Sequence, residues 1–254
     1  MEIEVAGLRY RRLEVFKHDS WAATAVYSFA NDDPIHEVGG RFSPTTRVVC
    51  KFNRQAPFGF VPLRWLGRFL ARRETAFLTK LEAIPGVPAV CREVRVEGKR
   101  ASHVSAHEFI EGKPLSLQCN LDAKFFDQLD RLLHDLHVRR IAYVDLHKQE
   151  NVLVGEDGRP YLMDFQVSLR VPDYLWLNPL LHLLCECDRY HVAKHRRAHH
   201  VEGASPTRPW IIRMHRKIGV PLRSLRRRIL VWLGVRRGEG YAVSEVAPEI
   251  GLRT

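Results

Sequence analysis

Four polar residues, Lys51, Glu74, Asp145 and Asp164, interrupt apolar stretches of this sequence, and with Asn151 their types define a possible chemistry. Lys51 lies inside Arg47-Val-Val-Cys-Lys-Phe52, and Glu74 lies on the apolar side of a helical pattern. Asp145 ends Ile141-Ala-Tyr-Val-Asp145, and Asn151 and Asp164 flank a short hairpin pattern. Lys, Glu and Asp are rarely buried without a partner, so each calls for one. Lys51 and Glu74 form a natural ion pair between a strand and the helix after it. Asp164 and Asn151 offer oxygens suited to a hard cation such as Mg²⁺. Asp145 is placed to accept a proton from a hydroxyl. Taken singly, each has an ordinary reading: a strand lysine usually faces solvent, and a helix glutamate is usually surface charge. The ordered set is what points to chemistry.

The elements that must position these residues can be read from periodicity. Leu13–Lys17 and Thr24–Phe29 read as two short strands, and Arg47–Phe52 as a third in which Val49 and Lys51 share a face. From Pro62 to Leu81 the spacing turns helical, with an apolar stripe of Leu63, Leu66, Leu70, Phe77 and Leu81 that also carries Glu74. Strands are expected around 89–96 and 102–109. A second helix follows from the spacing of Phe125, Leu129, Leu132 and Leu136. A hairpin is expected from Asn151–Val154 and Tyr161–Asp164, closed by Gly155-Glu-Asp-Gly158. Beyond residue 175 the chain reads as helical and basic. Strands, one helix, strands, then helices make an α+β pattern, sheet-rich in its N-terminal half and helical in its C-terminal half.

The 254 residues suffice for one large domain or two small lobes, and 45% hydrophobic with 27% charged content is ordinary for a globular protein. The charge is not ordinary: 40 Lys+Arg against 29 Asp+Glu gives +11. Such an excess attracts polyanions, whether nucleotide, nucleic acid or an anionic membrane face. The five cysteines are scattered and odd in number, so a disulfide framework is not expected and a reducing compartment is. Neither a signal-peptide core nor an apolar run of about 20 residues is present, which leaves a soluble or membrane-peripheral protein.

With these residues in order, the chain resembles the protein-kinase-like superfamily over roughly residues 10–190. The resemblance implies a bilobal protein-kinase-like fold with an antiparallel-sheet N-lobe (1–110), a reduced helical C-lobe (111–205) and basic amphipathic C-terminal helices and tail (206–254). It implies ATP with Mg²⁺ (or Mn²⁺) as cofactors and transfer of the γ-phosphate to a hydroxyl. Lys51 matches the strand lysine that holds the α- and β-phosphates, and Glu74 the helix glutamate that orients it. His107-Glu-Phe-Ile-Glu-Gly112 resembles the hinge, where backbone groups near Glu108 and Ile110 would meet adenine. Tyr143-Val-Asp-Leu-His-Lys-Gln-Glu-Asn151 resembles the catalytic loop, with Asp145 as base, Lys148 near the γ-phosphate and Asn151 on the metal. Met163-Asp-Phe-Gln166 resembles the DFG segment, with Asp164 bridging metal and phosphates. The 13 positions from Asn151 to Asp164 match the usual spacing of such enzymes.

The departures bear on substrate. No G-x-G-x-x-G covers the phosphates; Lys17–Thr24 stands in its place, with Ser20, Ala22 and Ala23 as its small residues. Asp145 to Asn151 is one position longer than the common form, Tyr143-Val144 replaces His-Arg, Gln166 replaces glycine, and no Ala-Pro-Glu closes a short segment after it. A short activation segment and cut-down helical lobe resemble bacterial kinases of lipopolysaccharide-core sugars (the Kdo and heptose kinases) more than Ser/Thr protein kinases. The expected acceptor is therefore a sugar or lipid-linked glycan. The alternatives are a Ser/Thr protein kinase and a nucleotide-binding pseudokinase scaffold.

Two basic-apolar tracts, Phe58–Arg73 and Trp210–Leu233, have the composition of interfacial helices, which suggests a cytoplasmic protein peripheral to the inner face of the membrane. The alternative is that they pack on the lobes with basic outer faces. Nucleic acid is the weaker partner, because no recognition motif accompanies the charge. His182, Cys185, Cys187, His191, His195, His199 and His200 crowd one stretch, but without zinc-ligand spacing they read as a solvated basic helix face.

Overall fold

A computed structural model describes residues 2–18, 22–30, 47–55, 64–116, 119–203 and 209–214. The architecture is mixed α+β, and the chain divides into two compact units. Among the described residues one unit comprises 2–113 and 161–166, the other 114–160 and 167–214.

The first unit is built on an antiparallel sheet. Its strands are β1 (Glu2–Val5), β2 (Leu8–His18), β3 (Ala22–Phe29), β4 (Arg47–Asn53), β5 (Val90–Cys91), β6 (Arg95–Val96), β7 (Lys99–Arg100) and β8 (Val104–Glu108), in spatial order β5-β8-β4-β3-β2-β1-β6-β7. Two differences from the sequence reading have a physical cause. β1 was not expected at all, and β2 starts at Leu8 rather than Leu13. Ala6 and Gly7 both adopt positive φ (50° and 83°), which closes a tight hairpin and lets β2 pair on both sides. Alternation then sorts β4: Val48, Cys50 and Phe52 enter the core with Tyr10, Tyr27 and Ala106, while Val49 and Lys51 point to the opposite face.

Helix α1 (Arg64–Leu81) packs against β4 and β8. The expected stripe is only partly the buried one. Phe77 and Leu81 are buried, but Leu66 and Leu70 are half-exposed, and the contact surface runs through Gly67, Ala71, Glu74 and Leu78. Small residues seat this helix because it comes very close to the end of β4. A Cβ built at Gly67 would lie 2.4 Å from the Arg54 carbonyl oxygen. Hydrophobicity points to leucines where close approach demands glycine and alanine.

Beyond β8 the chain runs through β9 (Gly112–Pro114), α2 (Ala123–Val138), β10 (Ile141–Ala142), β11 (Val152–Gly155), β12 (Pro160–Leu162), β13 (Leu169–Arg170), α3 (Asn178–Ala198) and α4 (Trp210–Met214). In the second unit α2 is the best-specified element. Asp122 Oδ1 accepts the Phe125 N–H at 3.0 Å as N-cap, and Phe125, Phe126, Leu129, Leu132, Leu133 and Leu136 form one buried face. α3 packs on α2 and on β10, and β10 pairs with β13. The Gly155–Gly158 turn forms as expected: Gly158 takes φ 74°, and Gly155 N–H donates to Arg159 O at 2.9 Å. No helix among the described residues is long and apolar enough to cross a membrane.

Leu129 is fully buried on α2, so Leu129→Ala is expected to cost about 3 kcal/mol in urea unfolding. Asp122→Ala at the cap is expected to cost about 1 kcal/mol.

Candidate active-site residues

In the first unit, Lys51, Glu74 and Asp164 come together. Lys51 Nζ lies 2.8 Å from Asp164 Oδ1 and 4.0 Å from Glu74 Oε2. Glu74 is only 2% exposed, so its charge must be met from inside. Ser105 Oγ donates to Glu74 Oε2 at 2.6 Å, and Gln166 Nε2 donates to the same oxygen at 3.1 Å. The alternation that turns Lys51 away from the core therefore aims it at the helix that supplies its acid.

Gln166 is a working part of this cluster. Its amide nitrogen bridges Glu74 and Asn53 Oδ1 (2.9 Å), its N–H reaches Asp164 Oδ1 at 3.4 Å, and its carbonyl accepts from Arg73 Nε at 2.7 Å. A glycine there could make only the backbone contacts. Asp164 itself sits at φ 56°, in the left-handed region where Asp is tolerated. That turn of the backbone delivers its carboxylate to Lys51.

In the second unit, Asp145, Lys148 and Asn151 form one network. Asp145 is 5% exposed. Its Oδ2 accepts from Lys148 Nζ at 2.7 Å and from Asn151 Nδ2 at 2.8 Å. His147 Nδ1 lies 3.1 Å from Oδ1. Asn151 Nδ2 also donates to the Asp145 carbonyl at 3.2 Å, closing the loop on itself across its extra residue.

Two residues of α3 hold this loop, and neither was expected from the sequence. The Asp188 carboxylate, 1% exposed, accepts Tyr143 N–H at 2.8 Å on Oδ2 and Val144 N–H at 2.8 Å on Oδ1. His137 Nε2 also meets Oδ2, at 3.0 Å. Two turns further on, His195 Nε2 donates to the Leu146 carbonyl at 2.7 Å. Asp145 thus stands between two anchored neighbours. Val144 is held at φ 72°, a costly conformation for a β-branched residue that the Asp188 clamp over-determines. The usable signal was the 3-4-3 spacing of Cys185, Asp188, Val192 and His195, which are the buried residues of α3.

The reading of the His/Cys stretch as a solvated face is therefore corrected. His195 is buried against the loop, and His191 is half-buried with its Nδ1 enclosed and without a hydrogen-bond partner among the described residues. Burial, helped by His147 and His195 nearby, lowers the His191 pKa to about 4, and burial lowers that of His195. Burial pushes the Cys185 and Cys187 thiols up to about 11. No group of three His, Cys, Asp or Glu side chains suited to a metal occurs among the described residues.

The other expected positions fall as follows. Ser20 lies outside the described residues. Ala22 begins β3 opposite Asn53. The Glu108 N–H is committed to the Ala89 carbonyl at 2.9 Å, and its carboxylate accepts the Ala89 N–H at 2.9 Å. The Glu108 carbonyl lies 2.7 Å from His107 Nδ1. Ile110 follows in irregular, half-buried chain. Asp164, in the first unit, keeps a partly exposed carboxylate, and Asn151, in the second, turns its amide nitrogen to Asp145. Each offers a hard oxygen of the kind that Mg²⁺ and Mn²⁺ prefer.

No protein-family model matches the sequence, and no curated protein is significantly similar to it.

Asp188→Ala would leave Tyr143 N–H, Val144 N–H and His137 without their acceptor, and is expected to cost about 3–5 kcal/mol in stability. His191 and His195 are held neutral in the fold, whereas an unfolded histidine titrates near pH 6.5. Below that value the unfolded chain takes up protons that the folded chain refuses. The urea midpoint should hold steady above pH 6.5 and fall between pH 6.5 and about 4, and His191→Asn should flatten that fall.

Proposed function

We propose that this chain is a divergent member of the protein-kinase-like superfamily, with its bilobal fold, and that it transfers a phosphoryl group from ATP to a hydroxyl. The observation that carries the reading is Lys51, 2.8 Å from Asp164 and 4.0 Å from a buried, hydrogen-bonded Glu74. A half-buried lysine flanked by two carboxylates, one buried and hydrogen-bonded and one still partly open to solvent, is arranged for an anionic ligand that brings its own cation. A surface ion pair needs none of this support.

In this reading Lys51 binds the α- and β-phosphates, and Glu74, fixed by Ser105 and Gln166, keeps the ammonium in position. Asp164 and Asn151 would hold Mg²⁺ or Mn²⁺, which supplies charge neutralisation at the phosphates. Asp145 orients the acceptor hydroxyl and takes its proton as the new P–O bond forms and the bond to the ADP leaving group breaks. Lys148, on Asp145 Oδ2, fixes the position of that carboxylate until the hydroxyl arrives and offers positive charge to the transferred group. Most of the rate advantage in such transfer comes from positioning and electrostatics rather than covalent chemistry. The acceptor class we favour is a sugar or lipid-linked glycan, because no Ala-Pro-Glu stands near Asp164 to brace a peptide platform; Ala247-Pro-Glu249 begins 83 positions further on.

ATP turnover over sugar, lipid and protein acceptors is the direct test. Asp145→Ala and Asp164→Ala are each expected to lower kcat by about 10²–10⁴. Saturating Mg-ATP should raise the thermal midpoint of the wild type by roughly 5–10 °C, and of Lys51→Met by much less. Absence of any shift at millimolar nucleotide would overturn the reading.

A further inference from the structure

Helix α1 presents its site residue inward and a second surface outward. Gly67, Ala71, Glu74, Phe77, Leu78 and Leu81 are its buried side. On the opposite side run two adjoining rows. One is Arg64, Arg68 and Arg72 at four-residue spacing, all exposed; the other is Trp65 and Phe69, one residue on, 61% and 51% exposed. Residues four apart stack along a helix, so the cationic and aromatic rows lie side by side. No Asp or Glu occurs between Glu37 and Glu74, and Glu74 faces inward, so this face carries no acid of its own.

Two large aromatics held in water beside three guanidinium groups fit an occupant that offers apolar volume and negative charge together. We infer that the outward face of α1 docks on an anionic lipid bilayer. Trp65 and Phe69 enter the boundary between headgroups and acyl chains, and Arg64, Arg68 and Arg72 meet lipid phosphates. Arginine suits the second task, because its apolar stem lies along the aromatic row while its planar head pairs with phosphate oxygens. Single-stranded nucleic acid also takes Arg with aromatics, but it binds in grooves where bases stack in succession, whereas these rows lie on a convex helix surface. The remaining charge of the chain is of the same kind. Residues 208–237 contain ten Lys/Arg, no Asp or Glu, and two tryptophans, Trp210 and Trp232, within a total of +11. This inference does not rest on the nucleotide reading.

The test is co-sedimentation of the full chain with vesicles of phosphatidylcholine alone and of phosphatidylcholine with phosphatidylglycerol. The wild type is expected to bind the mixed vesicles and not the neutral ones. Arg64→Gln/Arg68→Gln/Arg72→Gln should weaken that binding about tenfold or more, and Trp65→Ser/Phe69→Ser by about tenfold. Thermal midpoints equal to wild type will show that both variants fold. Equal binding to both vesicle types, or anionic binding unchanged in both variants, would overturn the inference. So would variants that lose affinity for a single-stranded oligonucleotide while keeping affinity for the mixed vesicles.

Discussion

A carboxylate taken out of water must have its oxygens saturated, and the placement of the candidate site follows from that constraint. Glu74 and Asp188 are both almost fully buried, one in each unit. Each solves the problem with neighbours that then become fixed in space. Glu74 gathers Ser105, Gln166 and Lys51, so a strand, a helix and the Asp164 turn are tied at one point. Asp188 gathers two consecutive backbone N–H groups and a histidine, so the chain before Asp145 has one conformation available. Buried ionic groups contribute little to net stability, but leaving one partner unmade is expensive. They specify geometry more than they add strength.

Lys51, Glu74, Asp145 and Asp164 were legible because each breaks a local pattern, and Asn151 through its 13-position spacing to Asp164. A lysine in a strand or a glutamate on an apolar stripe is visible as an exception to alternation or to helical spacing. Asp188 and His195 were not legible, because α3 mixes His, Cys, Arg and Leu with no clean apolar stripe for an exception to stand against. The repeat of His191, His195 and His199 drew attention to histidines, when the informative set was the buried row that His195 shares with Asp188. Burial of that row is decided by the Asp145 loop, which is far away in sequence.

Gln166 shows how a departure from a family pattern is absorbed. Gln166 stands where the resemblance would place a glycine, two residues after Asp164. In the folded chain the Gln166 side-chain amide donates to Glu74 and Asn53 at once, and its backbone carbonyl accepts from Arg73. Conversely, the leucines of α1 looked like the obvious packing residues, yet the helix seats through glycine and alanine. A contact limited by distance between backbones selects for small side chains, which hydrophobicity scales rank low.

The Gly67 contact has a mechanical corollary. An α-helix advances 1.5 Å and turns about 100° per residue, so screwing α1 by a single position would bring Leu66 or Arg68 to the place where even one carbon clashes with the Arg54 carbonyl. The helix is thereby indexed like a rack with one missing tooth, able to engage in a single axial setting. Glu74 lies seven residues, close to two full turns, beyond that notch, so its height above the sheet is metered from a glycine that has no functional group at all.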